Sequence, residues 1–255
     1  MTYNTKQILG WIRRRMFAAA ILEIVLAALF SAFVDAQQRK VKKEIQDGFV
    51  PDNHGKLISD SSQTIKMYDV NGNVIEEVER SIWPIQHKLV VYSKKRFFGS
   101  NGRLDSMLTF VDDKFSLKLQ PEYDSTGREL AVQETNSERK PGFRSKNMYD
   151  SANRKSRVEM YDSHGKLYNF RNFSYDSFGN LGEESGSEQG TPRYRWTYRY
   201  DKSKRLIERR DYSGQGLFLR KHRYLYNKEN RLIKETTLTP KGIVERVVKY
   251  RYEYY

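Results

Sequence analysis

The sequence predicts an all-β fold, an antiparallel meander of short hairpin repeats that forms a twisted or curled strip. A turn pattern, Tyr-Asp-x-x-Gly-x-Leu, recurs along most of the 255 residues and is complete at residues 161–167. Between the turns, apolar and polar residues alternate with period two, which is typical of strands with one wetter face. No segment after Val34 shows a helical stripe of apolar residues.

Each copy of the turn pattern combines an Asp, whose side chain can accept from nearby backbone amides, with a Gly three residues later. Glycine supplies the positive φ that closes a type I turn followed by a bulge. Complete copies occur at Asp52–Gly55, Asp69–Gly72, Asp124–Gly127, Asp162–Gly165 and Asp176–Gly179, and degenerate ones at Asp150–Asn153, Asp201–Lys204 and Asn227–Asn230. We interpret Asp69, Gly72, Asp124, Gly127, Asp162, Gly165, Asp176 and Gly179 as structural turn residues.

The spacing of the turns indicates a repeat architecture. Gly102, Asn153 and Lys204 are 51 residues apart, and so are Gly179 and Asn230. With the weaker turn signals between them, turns fall every 12 to 14 residues, four in each 51-residue unit. Residues 81–98 are less regular, and we expect a longer loop or a join there.

Residues 1–36 predict a secretory signal peptide with a helical apolar segment. Three arginines at positions 13–15 precede the apolar segment 16–34. Val34-Asp35-Ala36 then places small residues at the positions that a signal peptidase recognises before it cleaves. The alternative is an uncleaved membrane anchor, because a segment of nineteen residues, apolar except for Glu23 and Ser31, can just span a bilayer. Glu23 weakens that alternative, since a carboxylate in the middle of a span is costly.

The remaining chain divides into a charged linker over residues 37–50 and a repeat domain over residues 51–255. The linker assignment rests on Arg39, Lys40, Lys42 and Lys43, although a first strand is the alternative. The chain has no cysteine, which excludes a lipoprotein and a disulfide-stapled domain. We therefore expect an exported protein of the periplasm, the cell surface or the secreted fraction.

Six Tyr-Asp dipeptides start the turns, at residues 68–69, 123–124, 149–150, 161–162, 175–176 and 200–201. With their glycines they resemble the YD repeats of bacterial wall-associated and Rhs-type proteins; MORN-like β-hairpin repeats are similar. The resemblance covers roughly residues 52–255. It implies long hairpin strips at the bacterial cell surface, but the chain is too short for the enclosing shell that some of those proteins form.

The formal net charge of +14 raises the question of an anionic partner. At a cell surface, the long-range electrostatic attraction of a basic protein favours anionic polysaccharide as the partner. Nucleic acid is not the expected partner of an exported protein. The structural alternative is that the basic residues serve solubility and protect exposed strand edges. Contact with a membrane is expected only through residues 16–34, if they are retained.

Tyr194, Trp196 and Tyr198 share one face of a predicted strand and are the candidate residues for stacking on a glycan. The alternative is an aromatic core, because tyrosine favours strands and can keep its hydroxyl in contact with water.

We predict no enzyme, cofactor or metal, since no zinc, phosphate-loop or nucleophile motif is present. Adjacent carboxylates such as those at positions 76–77 and 183–184 point to opposite faces of a strand.

Three functional hypotheses follow. The first is an exported structural or interaction module with a protein or polysaccharide partner, and the second is a carbohydrate-binding surface protein that uses the Trp196 face. The third is an outer-membrane β-barrel, which needs a continuous apolar band toward lipid. Strands such as residues 205–212 carry charge on both faces, so the third hypothesis is the weakest.

Overall fold

The computed structural model describes residues 40–83 and 88–255. These residues form sixteen strands: β1 Val41–Pro51, β2 Leu57–Tyr68, β3 Val74–Trp83, β4 Lys88–Phe98, β5 Leu104–Val111, β6 Lys114–Tyr123, β7 Glu129–Asn136, β8 Pro141–Tyr149, β9 Lys155–Tyr161, β10 Leu167–Tyr175, β11 Leu181–Glu188, β12 Thr191–Tyr200, β13 Leu206–Ser213, β14 Phe218–Tyr226, β15 Leu232–Leu238 and β16 Val244–Tyr254. The signal helix predicted within residues 1–36 lies outside the described residues. In the described part, no helix is long and apolar enough to cross a membrane.

The strands form a closed antiparallel barrel, so the prediction of an open strip is wrong. Each strand pairs with its neighbours in the chain, and β1 pairs with β16 to close the ring. At this seam Glu44 lies opposite Tyr252 and Ile45 opposite Arg251. Closure satisfies the backbone amides and carbonyls of both terminal strands, which an open strip would leave without partners.

Two local assignments also differ from the sequence-based ones. Most of the predicted linker, from Val41 onward, belongs to β1, which pairs on both sides. The charged residues suggested a solvated linker, but in the strand they point alternately to the two faces and meet opposite charges on the neighbouring strands. Lys43 lies opposite Glu253 across the seam, and Glu44 lies opposite Lys66 of β2. The irregular residues 81–98 are mostly strand, since they end β3 and form β4.

Twelve of the turns in the described residues share one pattern of backbone hydrogen bonds, and at the Asp turns the side chain adds two more. In the turn from Asp162 to Lys166, the Asp162 side chain accepts from the backbone amides of His164 and Lys166, both at 2.9 Å. The Gly165 amide donates to the Asp162 carbonyl, and the φ of Gly165 is +76°. The same bonds form at Asp69–Gly72, Asp124–Gly127 and Asp176–Gly179. These bonds set the register of each hairpin.

Tyrosine hydroxyls join successive turns along one rim. In each case a tyrosine at or near the end of a strand donates to a backbone carbonyl 19 or 20 residues earlier: Tyr123 to Leu104, Tyr149 to Glu129, Tyr175 to Lys155, Tyr226 to Leu206 and Tyr252 to Leu232. The last residue of the preceding turn is an arginine whose guanidinium lies over the ring, as Arg154 does over Tyr175 at 4.4 Å. The recurring Tyr-Asp dipeptide therefore has a tertiary role as well as a local one.

Register and burial assign alternating residues to an inner and an outer face of the wall. From β5 to β11 the inner face carries most of the buried apolar residues, together with buried polar groups such as Glu134, Arg171 and Glu184; the apolar ones are Met107, Leu117, Leu119, Val132, Val158, Met160, Phe173 and Leu181. Around the rest of the ring the inner face carries mainly tyrosines and charged groups, among them Glu77, Lys94, Tyr198, Arg209, Asp211, His222 and Glu235. Apolar side chains are thus concentrated in one part of the inner wall.

Candidate functional site

The three predicted stacking residues lie on the inner face of β12. The hydroxyls of Tyr194 and Tyr198 donate to the fully buried Glu184 of β11, at 2.6 and 3.3 Å. The rings of Tyr194 and Trp196 have centroids 4.5 Å apart, and the Arg209 guanidinium lies 4.8 Å from the Trp196 ring. The sequence placed these residues together correctly, but their contacts belong to a network inside the wall.

This network continues across β13 to β15 through His222. The His222 ring lies 3.0 Å from an Asp211 oxygen through Nε2 and 2.9 Å from a Glu235 oxygen through Nδ1. Burial by itself would lower the pKa of His222, but the hydrogen bonds to both carboxylates outweigh burial and raise it. The two carboxylates thus favour the protonated ring, against burial and against the Arg209 guanidinium, whose Nη2 lies 2.9 Å from Nε2.

The carboxylates of this cluster are held in the charged form. Burial alone would raise the pKa of Asp211 and of Glu235, yet the hydrogen bonds from His222 and the nearby Arg209 lower both. Arg209 also donates to Asp211 at 2.8 Å. His222 was not selected from the sequence, although its position two residues before Tyr224 on an alternating strand places it on the tyrosine face.

A second charged cluster occupies the inner face of β3 and β4. Lys94 and Arg96 approach Glu77 at 3.0 and 3.4 Å, and Lys94 and Glu77 are almost fully buried. Burial opposes the charge of Glu77, but Lys94, Lys66 and Arg96 lower its pKa to about 2. Adjacent Glu76 faces outward near Lys95, so the two carboxylates of this pair do not act together.

In the described part of the chain, no group of three or more His, Asp or Glu side chains is arranged to hold a metal ion. A cavity of about 330 Å³ lies at the rim opposite the tyrosine-linked turns, where Lys166, Tyr168, Asn169 and Gln189 line it. It is separate from the aromatic face of β12.

The outer face also has two contrasting stretches. On β8 and β9 charges of opposite sign meet: Lys146 lies opposite Glu159, and Glu159 also accepts from Arg157 at 3.0 Å. On β14 to β16 four outward positions carry cations, and the outward anion Glu253 lies farther along β16, paired with Lys43 of β1. We call Lys221, Arg223, Lys234 and Lys249 the basic stripe.

Comparisons with known proteins define the class of fold. No family model and no curated protein matches the chain. A porin-like protein from Bacteroides uniformis is similar in structure, with a TM-score of 0.57, 9% identity, and coverage of 84% of this chain and 98% of that one.

Two further solved structures are less similar. A LolA superfamily protein from Nitrosomonas europaea has a TM-score of 0.31 and 13% identity over 84% of each chain. A β-barrel-like protein from Brucella abortus has a TM-score of 0.33 and 10% identity over 85% of this chain and 99% of that one. At these identities the likeness concerns the fold alone, and TM-scores below 0.5 carry no information about function.

The resemblance to YD-repeat or MORN-like strips is therefore corrected. The described residues form a closed sixteen-stranded antiparallel barrel, and the porin-like protein from Bacteroides uniformis is similar to it in fold. The physical reason is that a Tyr-Asp-x-x-Gly turn specifies a hairpin and its register. It does not specify whether the first and last hairpins of the series pair with each other.

Proposed function

We propose that this protein is an exported, non-catalytic β-barrel of the bacterial envelope that works in water as an interaction module. The observation that carries this proposal is the charge on the outer face of the barrel. Charged side chains point outward in the middle of strands, including Arg144 and Lys146 on β8 and Lys249 and Arg251 on β16. A charge of this kind facing lipid at the bilayer midplane costs about 2–4 kcal/mol for each Lys or Arg.

Apolar outward positions adjoin one another on only one part of the wall, whereas elsewhere they stand singly among charged residues, as Met148 of β8 and Leu225 of β14 do. Ile45, Ile65 and Val78 form a lateral row on β1 to β3, and Phe110 of β5 lies in the same row. This row spans only part of the circumference, whereas a barrel in a membrane needs an apolar band around all of it. An aqueous barrel therefore accounts for the outer wall better than an outer-membrane barrel does.

The absence of catalysis is part of the proposal and is supported by the geometry of His222. Both ring nitrogens are engaged by carboxylates, so the imidazole offers no free nitrogen to a substrate. A general base needs a nitrogen within hydrogen-bond reach of the proton that it abstracts. Export itself rests on the sequence of residues 1–36.

Fractionation of cells that express the native chain tests the proposal. We expect a mature N-terminus at Gln37, recovery in the soluble envelope or secreted fraction without detergent, and the same gel mobility before and after heating. Recovery only with detergent, together with a heat-dependent shift in mobility, would show a membrane barrel. An intact Met1 in a cytosolic fraction would refute export.

Glycan stacking by Tyr194, Trp196 and Tyr198 is a second proposal. The observation in its favour is the close Tyr194–Trp196 pair on a half-buried face. Trp196→Ala should abolish retention on a polysaccharide column with an unchanged circular dichroism spectrum, and Trp196→Phe should restore part of it. Phe178→Ala, at a turn residue that is 75% exposed, is the matched control and should change nothing. Equal retention of all four proteins would refute stacking.

A further inference from the structure

The basic stripe is a set of outward cations on three neighbouring strands. Lys221 and Arg223 are two residues apart on β14, and Lys234 of β15 lies directly opposite Lys249 of β16. Lys221 in turn lies opposite Arg210 of β13. Two pairs of like charge are therefore directly opposed on the outer face, and Arg223, diagonal to Lys234, lies between them.

Neighbouring carboxylates do not neutralise the stripe. Glu208 lies opposite Arg223, but its carboxylate is 2.8 Å from Arg210 and 3.5 Å from Arg199. Asp47 lies opposite Lys249, but it is 2.7 Å from Arg251. Among the described residues, no carboxylate lies within 4 Å of a stripe cation, and Lys249 instead stands 4.5 Å above the ring of Phe49.

Stability of the fold does not explain this arrangement. Like charges directly opposite each other on a sheet are destabilising. The sequence also allowed a structural explanation, that cations protect exposed strand edges. A closed barrel has no free edge, so this explanation does not apply to the stripe. Solubility is already served by mixed charges, as on β8 and β9.

The spacing of the stripe suits a linear polymer. Residues two apart on a strand stand about 7 Å from each other, and neighbouring strands are about 4.8 Å apart. The four cations therefore form a strip along which successive charged sugar units can lie. Leu225 and Thr236, the outward neighbours of Lys234 and Arg223, carry no ring, and the Phe49 ring is already capped by Lys249, so a nucleic acid base has no open ring to stack on beside these cations.

We propose that the basic stripe binds an anionic cell-surface polysaccharide through its carboxylate or phosphate groups. This inference rests on the proposed function in one respect, because export brings the barrel to that polymer. Binding is electrostatic and weakens as salt screens the charges. The aromatic face of β12 takes no part in it.

The test measures binding of the purified protein to polygalacturonate and to teichoic acid, which separate carboxylate from phosphate recognition, with neutral dextran as the blank. The triple variant Lys221→Gln, Arg223→Gln and Lys234→Gln should bind either polymer about tenfold more weakly. Lys56→Gln, Lys114→Gln and Lys118→Gln remove the same charge from other strands and turns and should leave binding nearly unchanged. Trp196→Ala should also bind normally.

Three outcomes would overturn the inference: no binding by the wild-type protein, an equal loss in both triple variants, or tighter binding to anionic lipid vesicles than to either polymer. Equal loss would mean that net charge alone attracts the polymer. Stripe-dependent binding by a protein that fractionates with the cytosol would instead refute the proposed function and leave the stripe's chemistry intact. The two failures are thus distinguishable.

Discussion

Two stretches of the barrel wall are built on the same hairpin but have different chemistry. On β8 and β9 the outer charges are of mixed sign, with Lys146 opposite Glu159, and the inner face carries Val158 and Met160. On β13 to β15 the outer charges are mostly cations, and the inner face carries Arg209, His222 and Glu235.

Comparing the two stretches separates the features that the whole barrel shares from those found in one stretch. The turns and the tyrosine-to-carbonyl bonds recur in both stretches, as at Tyr175 and Tyr226, so they hold the barrel together. Of the two stretches, only the second carries a run of outer cations on neighbouring strands, and its inner ionic contacts are more extensive than the single Lys155–Glu129 pair, at 2.8 Å, in the first. A feature that the common fold does not require is the better candidate for function.

The largest effect is expected from His222→Gln. Removing the imidazolium leaves the carboxylates of Asp211 and Glu235 without their shared partner inside the wall, and breaking a buried ionic contact costs about 3 kcal/mol or more. Ser145→Ala, on the inner face of β8, should cost under about 1 kcal/mol, because the Ser145 hydroxyl has no hydrogen-bond partner within the described residues. Chemical unfolding of both variants measures the difference, and equal losses would remove the contrast between the stretches.

The same cluster predicts how stability changes with pH. The pKa of His222 is raised above its usual 6.5, so its stabilisation is complete below pH 6.5 and is lost as the pH rises through the folded value. The pKa values of Asp211 and Glu235 are lowered from 3.8 and 4.5, so their stabilisation is present above those values and is lost as the pH falls through the folded ones. The cluster should therefore stabilise most between pH 4.5 and 6.5.

Thermal unfolding from pH 4 to pH 9 tests this dependence. We expect His222→Gln to flatten the alkaline side of the profile. Hydrogen exchange should show the alkaline loosening in β13 to β15 and not in β8 and β9. A wild-type profile that matches the variant's would show that the ring is not held as an imidazolium.

Removing a hydroxyl from a rim tyrosine should lower the stability of the barrel by an intermediate amount, and by the same amount in both stretches. Tyr149→Phe and Tyr226→Phe each remove one hydroxyl that donates to a backbone carbonyl, at 2.7 and 2.9 Å. Each should lower the free energy of unfolding by about 1 kcal/mol, the usual worth of such a bond. Tyr255→Phe serves for comparison, since its hydroxyl bonds the Tyr68 carbonyl at the seam. Unequal losses at Tyr149 and Tyr226 would mean that the rim differs between the two stretches.

The smallest effects, of opposite sign, are expected from reversing outer charges. Glu159→Lys sets like charges opposite each other at Lys146 and should destabilise the barrel by about 0.5 kcal/mol. Lys234→Glu creates an opposite-charge pair with Lys249 and should stabilise it by a similar amount. Urea unfolding at low and high salt measures both, and salt should shrink both effects. Destabilisation by Lys234→Glu would show that the stripe supports the fold.

Part of this structure could be predicted from the sequence because it depends on short-range chemistry. The Asp-x-x-Gly turns, the 51-residue period and the shared face of Tyr194, Trp196 and Tyr198 follow from local turn geometry and from the two-residue period of a strand. The inner position of His222 could also have been predicted, since it alternates with Tyr224 and Tyr226. Its partners could not, because Asp211 and Glu235 lie on two other strands.

The sequence by itself determined an all-β hairpin series, the position of nearly every turn and the two-faced character of each strand. Only the tertiary structure decided that the series closes, that residues 41–50 form a strand rather than a linker, and which strand face is inside. The reason is that hairpin registers are fixed by a few neighbouring residues, whereas closure depends on the pairing of Val41–Pro51 with Val244–Tyr254, about two hundred residues away. Twist and strand number decide whether those two ends meet, and no local motif encodes either.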